Sequence, residues 1–198
     1  LLDPELQAMA DAPFIPELTD DNISKARDNM AAKAAGLADP ASHNVHRTEI
    51  FAVQPDGPNV RCLLYQPKAD EDKTGAGYLH IHGGGYLFGS PDGSDLSNLL
   101  IASKLGVTVL SVDYRLAPEH PIPAPLDDCY TGLAYLHEHA EELGVDRSRI
   151  GIGGESAGGG LAAALAIKAR DAGEYAVCFQ ALTYPMLDDR TGSEQNPG

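Results

Sequence analysis

The sequence predicts an α/β fold, a mostly parallel sheet with helices on both faces. Two observations carry that prediction. From residue 78 onward, short apolar runs alternate with helical stretches. The runs are Tyr78–Ile81, Val107–Val112, Arg149–Gly153 and Val177–Thr183, and the helices fall near 94–105, 125–143 and 157–172. Strands separated by helices pair in parallel, because a crossover helix returns the chain to the same end of the sheet. The second observation is that two glycine-bearing motifs each follow such a run. Sheets of this kind bind ligands beyond the carboxyl ends of their strands.

The elements can be justified in order. Asp20 to Ala35 reads as an amphipathic helix, with Ile23, Ala26, Met30 and Ala34 on one face and Thr19 or Asp20 as its cap. Val45 to Gln54 and Asn59 to Gln66 read as strands. Pro55-Asp56-Gly57-Pro58 makes the turn between them, so the two form a hairpin. The helix expected over 125–143 carries Leu126, Leu133, Leu136, Ala140 and Leu143 on one stripe. About six strands are expected, and no internal repeat or low-complexity tract interrupts them.

Length and composition limit the function. A chain of 198 residues with 43% hydrophobic residues is of single-domain size and can bury a core. A net charge of −15 argues against nucleic acid and against an anionic membrane surface, since both would repel it. No signal peptide or transmembrane run is visible. Cys62, Cys129 and Cys178 lie far apart in apolar stretches without metal-ligand spacing, which predicts buried free thiols, a cytoplasmic location and no metal.

The sharpest chemical signal is Gly154-Glu155-Ser156-Ala157-Gly158, between the strand Arg149–Gly153 and the helix 157–172. A serine at a tight strand-to-helix turn holds its hydroxyl exposed, and glycines on both sides spare the turn side chains it has no room for. The helix N-terminus behind it directs N–H groups and the positive dipole end at the reacting centre. The second signal is His82-Gly83-Gly84-Gly85-Tyr86, after the strand Tyr78–Ile81. Three glycines bare the backbone, so N–H groups can approach a developing oxyanion. A phosphate-binding reading of these glycines fails, because neither a following Lys-Ser/Thr nor a GxGxxG is present.

A third stretch runs Asp113-Tyr114-Arg115-Leu116-Ala117-Pro118-Glu119-His120-Pro121 and on to Pro123-Ala124, and a fourth is Tyr184-Pro185-Met186-Leu187-Asp188. With Leu2-Asp3-Pro4-Glu5 and the two glycine motifs, they make the chain resemble the bacterial hormone-sensitive-lipase-like carboxylesterases of the α/β-hydrolase superfamily. The resemblance implies a serine carboxylesterase for short- to medium-chain esters that uses no cofactor. It implies N-terminal cap helices over residues 1–44 and the N-terminal part of the hydrolase core over 45–198. Ser156 matches the nucleophile, Gly83 and Gly84 the loop donors of the oxyanion hole, and the N–H of Ala157 the third donor. His82 matches the motif histidine that orients the loop and is not the base. Arg115 and Glu119 match residues expected to tie the following loop to its surroundings. Tyr86 is a candidate for lining the acyl pocket, with a core or rim tyrosine as the alternative. Members of the family often form homodimers.

Two departures stand out. Glu155 occupies a place where many members have Asp or Thr. The family's triad Asp and His lie on later strands, well beyond the nucleophile, and this sequence stops at Gly198 before either. His43, His46, His80, His120, His137 and His139 are poor bases, and Asp127, Asp128, Asp188 and Asp189 poor triad acids. None sits at a strand's carboxyl end after the nucleophile. The expectation is therefore a missing C-terminal segment of roughly a hundred or more residues that supplies the Asp, the His and the last strands. The polar, breaker-rich run Asp189–Gly198 reads as an exposed loop. A non-catalytic small-molecule-binding protein of the same fold is the rival reading, as is a fragment active only with its C-terminal part.

Overall fold

The structure, a computed structural model, describes residues 3, 19–34, 39–55, 57–68 and 74–190. Helix α1 (Asp20–Ala34) is followed by a 3-10 turn (Pro40–His43) and the hairpin β1 (Val45–Ala52) and β2 (Val60–Pro67). Then come β3 (Gly75–Ile81), α2 (Asp95–Leu105), β4 (Thr108–Val112), α3 (Ala124–Glu138), β5 (Val145–Glu155), α4 (Ala157–Ala172) and β6 (Phe179–Thr183). Residues 1, 2, 4–18 and 35–38 of the expected cap segment (Ala35, the expected end of the first helix, among them), the hairpin residue Asp56 and the tail 191–198 lie outside the described residues.

These strands form one sheet in the order β1-β2-β4-β3-β5-β6. β3, β4, β5 and β6 run parallel, while β2 is antiparallel to both β1 and β4. The chain leaves β3 towards β4 and then returns past β3 to β5. Right-handed crossovers in opposite directions put their helices on opposite faces. Leu79, Ile81, Leu110, Val112, Ile150 and Ile152 accordingly pack against Leu133 and Leu136 of α3 and Leu161 and Leu165 of α4. On the other face Leu63, Tyr65 and Val109 pack with Leu99 and Ala102 of α2. At Gly132 a Cβ would stand 2.8 Å from Val112 Cγ2, so α3 can lie this close to the sheet only without a side chain there.

The reversal of direction also locates the site. β3 and β5 are neighbours whose following connections leave in opposite directions, which opens a crevice beyond their carboxyl ends. The glycine motif follows β3 and the serine motif follows β5.

Three local expectations need correction. The helix expected over 125–143 stops at Glu138. Ala140 and Leu143 belong to a turn that bonds Leu143 N to His139 O and Val145 N to Ala140 O and ends at Gly144 with φ 63°. Ala140 remains buried, so burial continued the apolar stripe beyond the helix. β5 begins earlier than expected, at Val145. β3 pairs with it at Val145 and again from Ile150, with an irregularity between. Cys62 and Cys129 are buried free thiols, but Cys178 is exposed. It precedes the edge strand β6, whose Phe179 is 61% exposed, because no described residue packs over that edge.

Candidate active site

Ser156 joins β5 directly to α4 with φ 55° and ψ −118°, a conformation a non-glycine residue adopts only when its surroundings impose it. Its N–H donates to Thr183 O at 3.0 Å, and its carbonyl accepts from Gly160 N at 3.1 Å and Met186 N at 2.9 Å. The motif glycines spare the turn side chains as expected, since a Cβ at Gly154 would lie 2.7 Å from Gly158 C, and they have a second purpose. A Cβ at Gly154 or Gly158 would run into the carbonyl oxygen of Ile81, and at Gly158 into that of His82 as well. Both glycines therefore let the end of β3 press against the turn.

The glycine loop touches the same turn. A Cβ on Gly83 would lie 2.9 Å from Glu155 O and 3.4 Å from the Ser156 Cβ. Gly84 (φ 124°) and Gly85 (φ 62°) turn the chain back, with Leu87 N and Phe88 N both donating to Gly84 O. The N–H of Gly83 is engaged, donating to Glu155 Oε1 at 3.1 Å. Those of Gly84 and Gly85 have no acceptor among the described residues. Ala157 opens α4, so its N–H is one of those a helix leaves unpaired.

His82 is turned inward. Its Nδ1 lies 2.8 Å from Gly83 O, so that nitrogen carries the proton, and its ring stacks on Tyr114 at 4.1 Å. Burial pulls its pKa down to about 4, and the buried Nε2 has no partner among the described residues. The Glu155 carboxyl lies below its ordinary range. Burial works against ionisation there, but the hydrogen bond and charge of His80 and the Gly83 N–H outweigh it. The Tyr86 side chain is half-buried, and its hydroxyl would stand 2.9 Å from a Cβ on Gly160 of α4, so the ring reaches across the start of that helix.

The loop after β4 is tied down on two sides. Arg115 makes a multiple ion pair with the buried Asp128, and Glu119 pairs with Arg27 of α1. Arg27 also donates to Leu87 O and Ala117 O, so α1 is fastened to the glycine loop's continuation. Of the other histidines, His137 bonds Ala176 O and His139 stacks on Tyr135. Among the described residues no hydrogen bond joins a histidine to the Ser156 hydroxyl.

Sequence reasoning missed His80, which links Glu155 Oε2 (3.1 Å) to Ser111 Oγ (3.0 Å) and Asn98 Nδ2 (3.3 Å). Its available signal was a histidine inside the otherwise apolar run Tyr78–Ile81. Tyr114 and Arg27 had no comparable signal, because their partners are distant in sequence.

A mostly parallel sheet carrying a strained serine at the β5–α4 turn, faced by a glycine loop after β3, defines an α/β hydrolase core. A family model described as alpha/beta hydrolase fold matches residues 78–197, and the chain belongs to that family. The resemblance to the hormone-sensitive-lipase-like carboxylesterases is borne out by its relatives. Esterase LipI of Mycobacterium tuberculosis is 35% identical over 185 residues, covering 93% of this chain and 57% of LipI. Ethyl acetate hydrolase of Pseudomonas putida is 35% identical over 166 residues, covering 83% of this chain and 52% of that protein. Among solved structures, a bacterial heroin esterase aligns with TM-score 0.80 at 42% identity over 96% of this chain and 59% of its own. Esterase LipW of Mycobacterium marinum aligns with TM-score 0.82 at 33% identity over 97% and 60%. The chain thus spans little more than half the length of the relatives it matches. No helix among the described residues is long and apolar enough to cross a membrane.

Proposed function

We propose that the protein is a serine carboxylesterase acting through an acyl-enzyme on Ser156. The observation that carries this is the contact between a strained serine and a backbone loop with free donors. Strain at a non-glycine φ persists where the surroundings over-determine it, and a serine held so has its hydroxyl presented to a substrate. A pocket that merely bound ligands would have no use for it.

In the proposed reaction Ser156 Oγ attacks the ester carbonyl carbon and passes its proton to a base. The N–H groups of Gly84 and Ala157 stabilise the oxyanion, and Gly85 replaces Gly83 as the other donor, since the Gly83 N–H is taken by Glu155. Collapse of the tetrahedral adduct expels the alcohol, which takes the proton back. Water, deprotonated by the same base, then attacks the acyl-enzyme and frees the acid and Ser156. The base and its orienting carboxylate come from a C-terminal segment beyond these residues, as the relatives' greater length supports. Substrates are short- to medium-chain esters, with Tyr86 at the acyl side, and the free thiols fit a cytoplasmic setting.

The test is fluorophosphonate labelling of the complete protein, with turnover of p-nitrophenyl esters from acetyl to palmitoyl. Labelling at Ser156 and a preference for short chains are expected. Absence of labelling and turnover would sink the enzyme reading, and a palmitoyl preference would sink the substrate class.

A further inference from the structure

A chain of polar side chains runs under the site. Asn98, on α2 and fully buried, and Ser111, on β4 and fully buried, both approach His80 Nδ1. On its other side His80 Nε2 meets Glu155 Oε2, and Glu155 Oε1 accepts the N–H of Gly83. An ionised carboxylate only accepts, so His80 Nε2 donates to Glu155.

We propose that Glu155 is a positioning residue for the oxyanion loop: its carboxylate, anchored by His80, clamps the glycine loop to the nucleophile turn. This role rests on the esterase reading above. The backbone of Glu155 is part of the turn itself, between Gly154 and Ser156. Its two oxygens reach two other places, one on the loop after β3 and one inside β3. Locking the Gly83 N–H orients the peptides that follow, which carry the free N–H groups of Gly84 and Gly85. The low carboxyl pKa keeps the clamp charged, and charge-assisted hydrogen bonds are the stronger kind. Without the clamp the loop is free to shift, and about 1 Å of misplacement can cost about 10²-fold in rate.

The experiment compares Glu155→Leu, Glu155→Gln and His80→Asn with wild type in the complete protein. It measures kcat and KM for p-nitrophenyl acetate, and inhibition by a trifluoromethyl ketone that forms an oxyanion adduct. Glu155→Leu should lose about 10²-fold in kcat and a similar factor in ketone affinity, with KM changed by less than about threefold. Glu155→Gln keeps an acceptor for Gly83 and should stay within about fivefold. His80→Asn, too short to reach Glu155, should lose about tenfold in kcat and in ketone affinity together. A folded Glu155→Leu with wild-type kcat and ketone affinity overturns the role, as does a loss confined to KM. If Glu155→Leu does not fold, unchanged kcat and ketone affinity in His80→Asn overturn it instead. Inactive, unlabelled wild type would sink the esterase reading. Active wild type with indifferent variants would sink the clamp alone.

Discussion

The Tyr114 ring lies stacked on that of His82, 4.1 Å between centroids and 11° from parallel, and its hydroxyl donates to His82 O at 2.9 Å. The start of the loop after β4 thereby supports the start of the glycine loop after β3. Two motifs that are separate in sequence form one packed unit.

Replacing Tyr114 by Phe keeps the stack and removes the hydrogen bond to a buried carbonyl. Stability should fall by about 1–2 kcal/mol, with a small loss of turnover. Tyr114→Ala also removes a fully buried ring and should cost about 3–5 kcal/mol. Denaturant midpoints of both variants measure this. Equal costs would show that the ring contributes nothing beyond its hydroxyl.

Ser156→Ala should abolish ester turnover by several orders of magnitude while keeping the strained backbone. Ser156→Gly should be equally inactive but more stable than the Ala variant by about 1 kcal/mol, because glycine accepts φ 55°. Thermal or chemical unfolding of the pair reads the strain directly. A Gly variant no more stable than the Ala variant would mean that the turn holds no strain.

The glycines of the loop should separate rate from stability. A Cβ at Gly85 meets nothing within 4 Å, so Gly85→Ala carries a backbone cost of about 1–2 kcal/mol from its φ of 62°. If its N–H moves, the rate falls by about 10²–10³. At Gly84 a Cβ would strike the backbone of Phe88, so Gly84→Ala should lose both rate and fold. Steady-state kinetics alongside melting curves distinguish the cases.

Acid should destabilise the protein partly through His82. Its folded pKa of about 4 lies below the unfolded value of about 6.5, so between these values the unfolded state binds the extra proton. Stability is full above about pH 6.5 and falls as the pH drops towards 4, by at most about 3 kcal/mol. His137, also lowered by burial, adds in the same direction. Glu155, whose folded pKa is depressed, adds a loss at lower pH, below the ordinary carboxylate range. His82→Gln should flatten the slope between pH 6.5 and 4 in denaturant titrations. An unchanged slope would assign it to other groups.

Much of the architecture was legible because it is written in short-range signals. Apolar runs of strand length, helical stripes and a proline-glycine hairpin turn depend on residues a few positions apart. The same holds for Ser156, since a strand, a glycine-flanked serine and an alanine-rich helix are contiguous. The stripe over 125–143 misled because burial, not helix, continued through Ala140. Cys178 misled because an apolar run says nothing about whether its strand lies at an edge.

Local pattern thus decided which segments are strands and helices and which serine stands at a turn. Strand order, the use of each glycine and the partners of Glu155 were decided only when the sheet assembled. The return of the chain past β3 makes β3 and β5 neighbours, and that adjacency brings Gly83 to Glu155 across 72 positions of sequence. Which N–H groups stay free for a substrate follows from that contact. Hydrogen bonds between distant segments depend on register and handedness, and neither is encoded in the residues that form them.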